Sequence, residues 1–120
     1  MKKFFLLVCL FVTSLSSCNK EALQKPVLLR IENKTPVNFT HVLTNGESFD
    51  NVNAFSEAPY RSFEKIISAP SVVLITETDT AYAGLMFIDY PSYIEKGKYT
   101  LQIVEDSLAY YGYNCVYIED

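Results

Sequence analysis

One histidine, three cysteines and fourteen carboxylates are the side chains of this 120-residue chain best suited to chemistry. His41 has no second histidine to join it, and a zinc site wants three or four nitrogen or sulfur ligands in one place. Only Cys115 lies beyond the first eighteen residues. Its neighbours are Asn114 and Val116, so no flanking cation draws its thiol towards a reactive thiolate. The carboxylates are scattered: Glu77 and Asp79 flank one turn, Glu105 and Asp106 another, and Asp50 follows a third. Calcium requires several oxygens together, yet no Asp-x-Asp-x-Asp spacing occurs. Two carboxylates can hydrolyse a glycoside, but so short a chain offers no obvious deep cleft. There is no Gly-rich phosphate loop and no Gly-x-Ser-x-Gly elbow. The expectation is a protein that is not an enzyme and holds no cofactor or metal.

Tyrosine is more suggestive. Tyr110, Tyr111, Tyr113 and Tyr117 cluster late in the chain, with Tyr82, Tyr90, Tyr93 and Tyr99 before them. A tyrosine has an apolar ring and a polar tip, so an exposed row can stack on sugar rings or anchor a protein partner. Tyrosine is also simply a good strand former. Tyr110, Tyr111, Tyr113 and Tyr117 therefore form a candidate binding face, for a glycan or for another protein of the cell envelope.

The N-terminus gives an address. Lys2 and Lys3 precede an apolar run from Phe4 to Val12, and the small residues Ser16 and Ser17 lead into Cys18. That order is a secretory signal peptide, residues 1–17. The run is much shorter than the roughly 20 apolar residues of a spanning helix. Leu15-Ser16-Ser17-Cys18 resembles the lipobox of bacterial lipoproteins, which implies lipidation of Cys18 and cleavage just before it. Cys9 lies inside the apolar run without the small-residue pair, and reads as filler. Two or more acyl chains hold a protein firmly on a membrane, where one binds only marginally. Residues 18–25 would form the lipidated N-terminus and a tether. Some lipoproteins carry an acidic cluster there as a surface-sorting signal, whereas Asn19-Lys20-Glu21 has a single acid. The expected location is the bacterial envelope, at the outer membrane.

Cleavage would remove two of ten basic residues and leave fourteen acids, a formal charge of −6. Such a balance argues against nucleic acid, which requires a basic face, and against electrostatic attachment to anionic lipid. With Cys18 committed to lipid, Cys115 has no partner for an intramolecular disulfide.

The elements that would position these residues have a period of two, from residue 26 to 120. Val27, Leu29 and Ile31 alternate with Leu28, Arg30 and Glu32, and Val37, Phe39, His41 and Leu43 with Asn38, Thr40, Val42 and Thr44. Asn45-Gly46 is a strong hairpin signal. Phe49 to Pro59 is a short strand or a loop between sheets, and Tyr60 to Ile67 alternates poorly, as an edge strand does. Val72-Val73-Leu74-Ile75 reads as a strand buried on both sides, with Leu85-Met86-Phe87-Ile88 next. Tyr99, Leu101 and Ile103 alternate with Thr100, Gln102 and Val104, and Val116 and Ile118 with Cys115 and Tyr117. About seven short strands without a helix predict an all-β sandwich, immunoglobulin-like or prealbumin-like. Ile94-x-x-Gly97-x-Tyr99 resembles the tyrosine corner of such sandwiches, in which the hydroxyl bonds back to upstream backbone.

The region resembles the small β-sandwich lipoproteins of Bacteroides-type bacteria. The resemblance rests on Leu29 to Thr35, Tyr60 to Lys65, Phe87 to Tyr90 and Glu95 to Thr100. It implies a lipid-anchored sandwich and carries no catalytic residues. Asp79-Thr80-Ala81 and Asp106-Ser107-Leu108 resemble the O-glycan acceptor motif of the same bacteria, implying Thr80 and Ser107 as acceptors. The function expected is a membrane-anchored, non-enzymatic binding or scaffold module. The alternative is a periplasmic inhibitor or immunity-type protein that blocks an enzyme.

Overall fold

The computed structural model describes residues 25–84 and 90–120, and every element in them is a strand. The ten are β1 (Val27–Asn33), β2 (Phe39–Thr44), β3 (Glu47–Val52), β4 (Arg61–Phe63), β5 (Ile66–Ile67), β6 (Ser71–Ile75), β7 (Thr80–Gly84), β8 (Tyr93–Ile94), β9 (Gly97–Glu105) and β10 (Tyr113–Glu119). One four-stranded sheet has the order β10-β9-β1-β4, the other β3-β2-β6-β7, and β5 pairs with β8. The chain is an all-β sandwich. Among the described residues no helix is long and apolar enough to cross a membrane. The expected signal peptide, Cys18 and the expected strand from Leu85 to Ile88 lie outside the described residues.

The alternation of β1 is realised in full, with Val27, Leu29, Ile31 and Asn33 buried and their neighbours half-buried. It lies inside its sheet, antiparallel to β4 and parallel to β9. In immunoglobulin constant-type sandwiches the first two strands share a sheet; here β1 and β2 belong to opposite sheets. Phe39, Val42, Phe49, Val52, Val72 and Leu74 of one sheet meet Val27, Leu29, Ile31, Leu101, Ile103 and Cys115 of the other in one core. Fully burying each such aliphatic or aromatic side chain is worth about 1.5–3 kcal/mol.

The β2–β3 hairpin closes through Asn45 and Gly46 at φ 51° and 77°, the positive values that only such residues adopt cheaply. Further along, the sequence pattern fails. Phe39 and Val42 are both buried although three residues apart, and so are Phe49 and Val52 opposite them. An odd spacing on one face means that the alternation slips once on each strand. On β3 it slips at Asn51, whose φ is 54°. His41 and Leu43, expected on the same face as Phe39, therefore point outward. The run Val72 to Ile75 also alternates, with Val72 and Leu74 buried and Val73 and Ile75 half-buried. A two-layer sandwich leaves the outer face of each sheet to solvent, so β6 is not covered on both sides. The expected edge strand from Tyr60 to Ile67 is broken into β4 and β5, and two strands the sequence did not announce, β7 and β8, are short or poor in large apolar residues.

A buried polar cluster secures the end of β1. Asn33 is 0% exposed, and its Nδ2 donates to the carbonyls of Val37 (2.7 Å), Asn53 (3.1 Å) and Val52 (3.3 Å). Its Oδ1 accepts from the amide (2.9 Å) and hydroxyl (2.8 Å) of Thr35, also 0% exposed. One amide side chain thus fixes the loop after β1 to the end of β3. Among the described residues no buried side-chain polar atom lacks a partner.

The tyrosine corner takes a different form. The Tyr99 ring lies over Gly97, where an added Cβ would stand 2.8 Å from it, and packs edge-on against Tyr117 at 6.2 Å. Among the described residues Tyr99 makes no side-chain hydrogen bond. The hydroxyl that bonds to upstream backbone is that of Tyr117, donating to the Ile67 carbonyl at 2.9 Å. Tyr117 is on β10 beside Leu101, and its hydroxyl ties that strand to β5 of the two-stranded sheet.

Candidate functional site

The strand directions give the sandwich two unlike ends. The chain enters β1 at Val27, which pairs with Gly97 and Phe63, and the Pro26 carbonyl accepts from Gly97. The Asn45-Gly46 turn lies at this entry end, its Asn45 Oδ1 accepting from the Ile67 amide. β1 finishes at Asn33 beside Ile103. Around that far end gather the loops 34–38, 53–57, 76–79 and 106–112.

Loop 106–112 is tightly self-bonded. The Leu108 amide donates to Asp106 Oδ1 (3.0 Å), Ala109 to the Asp106 carbonyl (3.1 Å) and Gly112 to the Ala109 carbonyl (3.0 Å). The Asp106 amide returns to the Gly112 carbonyl at 2.9 Å. Gly112, at φ 84°, supplies the left-handed residue the turn needs. This frame holds Leu108 and Tyr110 out into solvent, 94% and 93% exposed.

The structure splits the tyrosine row. Tyr110 and Tyr111 lie on the exposed loop, whereas Tyr113 and Tyr117 face inward on β10. Tyr113 packs edge-on against Phe39 at 5.7 Å, and burial raises its pKa, assisted by Glu105 and Asp79. Tyr117 is raised by burial as well. Both rings belong chiefly to the core. A tyrosine from elsewhere completes the exposed group: Tyr82 of β7 meets Tyr111 at 5.3 Å, and Tyr110 meets it at 4.8 Å. Tyr111 is thereby held between two other rings with nearly half its surface open.

Two open clefts flank this ring. The larger, about 890 Å³, is bounded by Asn38, Asn51 and Asn53, by the turn Thr76 to Thr80, and by Tyr111 and Tyr113. Thr76 shapes that turn, its Oγ1 accepting from the amides of Asp79 (2.9 Å) and Thr78 (3.3 Å). Asn38 is oriented by the Ala54 amide, which donates to its Oδ1 at 2.8 Å. The smaller cleft, about 620 Å³, runs between β7 and β10 and is lined by Tyr82, Leu108, Tyr110, Tyr111 and Tyr113 among others. Tyr111 and Tyr113 are walls of both. Among the described residues no Lys, Arg or His lines either cleft, while Glu77 and Asp79 line the larger and Asp106 the smaller.

Of the other residues considered for chemistry, Thr80 lines the larger cleft and Cys115 the smaller, while His41 and Asp50 stay apart from both. His41 Nδ1 lies 2.7 Å from Asp50 Oδ1 on the exposed face of β2 and β3, and Ser48 Oγ donates to that same oxygen at 2.8 Å. The acid therefore sits between hydroxyl and imidazole, so His41 is not placed to take the Ser48 proton. The His41 hydrogen bond, then that of Ser48, lowers the Asp50 pKa. Cys115 is buried beside the smaller cleft, and burial pushes its thiol up to about 11. It is protonated and inert at neutral pH. Among the described residues no group of three or more His, Cys, Asp or Glu side chains is gathered to hold a metal ion. Thr80 and Ser107 are both exposed, the first at the start of β7 and the second on loop 106–112.

The asparagines and threonines of the larger cleft were not legible as a site. They come from three separate segments, four with Tyr111, and each reads alone as an ordinary turn residue. No protein-family model, curated protein or solved structure matches the chain.

Proposed function

We propose that this protein is a non-enzymatic binding module, anchored to a bacterial envelope membrane through lipid on Cys18, with its ligand site at the end of the sandwich far from the anchor. The single observation that carries the reading is polarity. The chain enters β1 at one end, and the larger cleft, with the exposed Tyr110 and Tyr111, lies at the other; the smaller cleft starts beside it and runs back along β7 and β10 to Pro70 and Gly84. A lipid-tethered domain built this way presents its recognition surface away from the bilayer. The lipobox-like Leu15-Ser16-Ser17-Cys18 and the similarity to small sandwich lipoproteins support the anchor.

Fractionation of cells carrying the full chain tests it. The wild type is expected in the membrane pellet and Cys18→Ala in the soluble fraction. A Cys18→Ala protein that remains in the pellet refutes lipid anchoring. Protease treatment of intact and lysed cells then assigns the face of the membrane.

One observation favours the inhibitor reading as a second. Loop 106–112 is stiffened by its own hydrogen bonds and displays Leu108 and Tyr110 almost fully. Rigid, pre-ordered apolar anchors are what a tight protein inhibitor offers an enzyme cleft. A stoichiometric complex with a hydrolase, lost on Leu108→Ala, would favour it.

A further inference from the structure

The two clefts differ from a generic protein-docking patch in their chemistry. The larger is walled mainly by side-chain amides and hydroxyls, groups that donate and accept at once and so match the paired hydroxyls of a sugar. Its two carboxylates, Glu77 and Asp79, accept such hydroxyls strongly. A protein interface would instead gather its energy in apolar or arginine anchors seated in well-packed pockets. The larger cleft has little of that kind.

Tyr111 supplies the remaining part. A sugar ring has an apolar C–H face that packs on an aromatic plane, and the aromatic residue serves best when it is already fixed. Tyr82 and Tyr110 hold Tyr111 from two sides at interplanar angles of 60° and 75°. Being a wall of both clefts, it stands between the polar one and the more apolar one.

Charge narrows the ligand class. Among the described residues neither cleft is lined by a cation, and three carboxylates line the pair. A uronate, sulfate or phosphate group placed there would meet repulsion with no compensating partner. An uncharged chain meets no such penalty.

We propose that the far end of the sandwich binds a neutral glycan chain across both clefts, with Tyr111 as its stacking platform; this rests on the binding-module reading above and names its ligand class.

The test uses the full-length protein in detergent, on an array of neutral and anionic glycans and in affinity electrophoresis through soluble neutral polysaccharides (a β-glucan, a mannan) and anionic ones (polygalacturonate, heparin). The wild type is expected to bind neutral chains and to ignore the anionic ones. Tyr111→Ala should weaken binding at least tenfold and Tyr111→Phe should keep it, both with an unchanged unfolding midpoint. Binding to no neutral glycan overturns the proposal, as does equal or stronger binding to the anionic set, or binding indifferent to Tyr111→Ala. A photo-crosslinker at position 111 in intact cells separates the two levels. Capture of a protein there, with no glycan bound on the array, overturns the glycan ligand and leaves a binding module standing. Absence of both overturns the module as well.

Discussion

Replacing Asn33 with alanine should be among the most damaging single changes in this domain. The side chain is fully buried: its two Nδ2 hydrogens are shared among three carbonyls, and its Oδ1 receives two hydrogen bonds. In Asn33→Ala the Thr35 hydroxyl can still turn to the Val37 carbonyl, 3.5 Å away, which recovers one. Two donated bonds and one received are then lost, which at a net worth of about 1 kcal/mol each predicts about 3 kcal/mol. With a urea dependence of about 1 kcal/mol per molar for a domain of this size, the midpoint falls by about 3 M. That is a large share of the roughly 5–15 kcal/mol a domain commonly has. Urea titration followed by circular dichroism measures it. Thr35→Val removes only the hydroxyl bonds and should cost about 2 kcal/mol. Asn33→Asp turns an acceptor oxygen towards three carbonyls, so it should be severe at neutral pH and milder in acid, where the carboxyl recovers a proton to donate. A midpoint drop below about 1 M for Asn33→Ala would refute the idea that one side chain holds the loop.

Glycine replacements should rank by what an added Cβ would meet. Gly84→Ala places it 2.0 Å from the Pro70 carbonyl oxygen, and Gly97→Ala 2.8 Å from the Tyr99 ring, whereas at Gly46 nothing lies within 4 Å. Gly46→Ala should therefore cost only the left-handed backbone penalty, about 1–2 kcal/mol, and thermal melts should place Gly84→Ala and Gly97→Ala clearly below it. Cys115, raised from 9.0 to about 11 by burial, should ignore thiol reagents in the native protein at pH 8 and react once unfolded. Because its folded pKa is raised, the unfolded chain ionises first and stability should fall between pH 9 and 11, a fall that Cys115→Ala reduces, the buried Tyr113 and Tyr117 keeping their own share of it. The Asp120 carboxyl is held low by the hydroxyls of Thr100 and Tyr60, each 2.6 Å away. An NMR titration of Tyr60→Phe should move it up towards the ordinary carboxylate range.

Strands with one face on the core and one in water announced themselves in the chain, as β1 and β9 did, because burial and the pleat share a period of two. The Asn-Gly hairpin was equally plain, since its backbone needs residues tolerant of positive φ. What failed was anything set by neighbours. His41 appeared inward until the slip at Asn51 turned it out, and that slip depends on a φ value no apolar pattern encodes. β7, Thr-Ala-Tyr-Ala-Gly, has too few large apolar residues to be recognised; it is a strand because β6 lies beside it. The tyrosine row was read as one face, but a turn separates Tyr110 and Tyr111 from β10, so its members fall on different surfaces. The cleft was hidden for a related reason. Sugar-like chemistry spread over four segments becomes a site only when the loops meet.

The pairing of β1 with β9 also bears on how the molecule is made. Arg30 Nε reaches Thr100 Oγ1 at 2.9 Å across seventy residues of intervening chain. The first strand cannot be seated until the ninth arrives, and fold speed falls as contacting residues move apart in sequence. A growing chain of this kind stays open until nearly all of it has been synthesised, and an open chain is one that can still be threaded through a pore. The topology that delays closure would keep the polypeptide transportable for most of its synthesis, with the last strands acting as the latch.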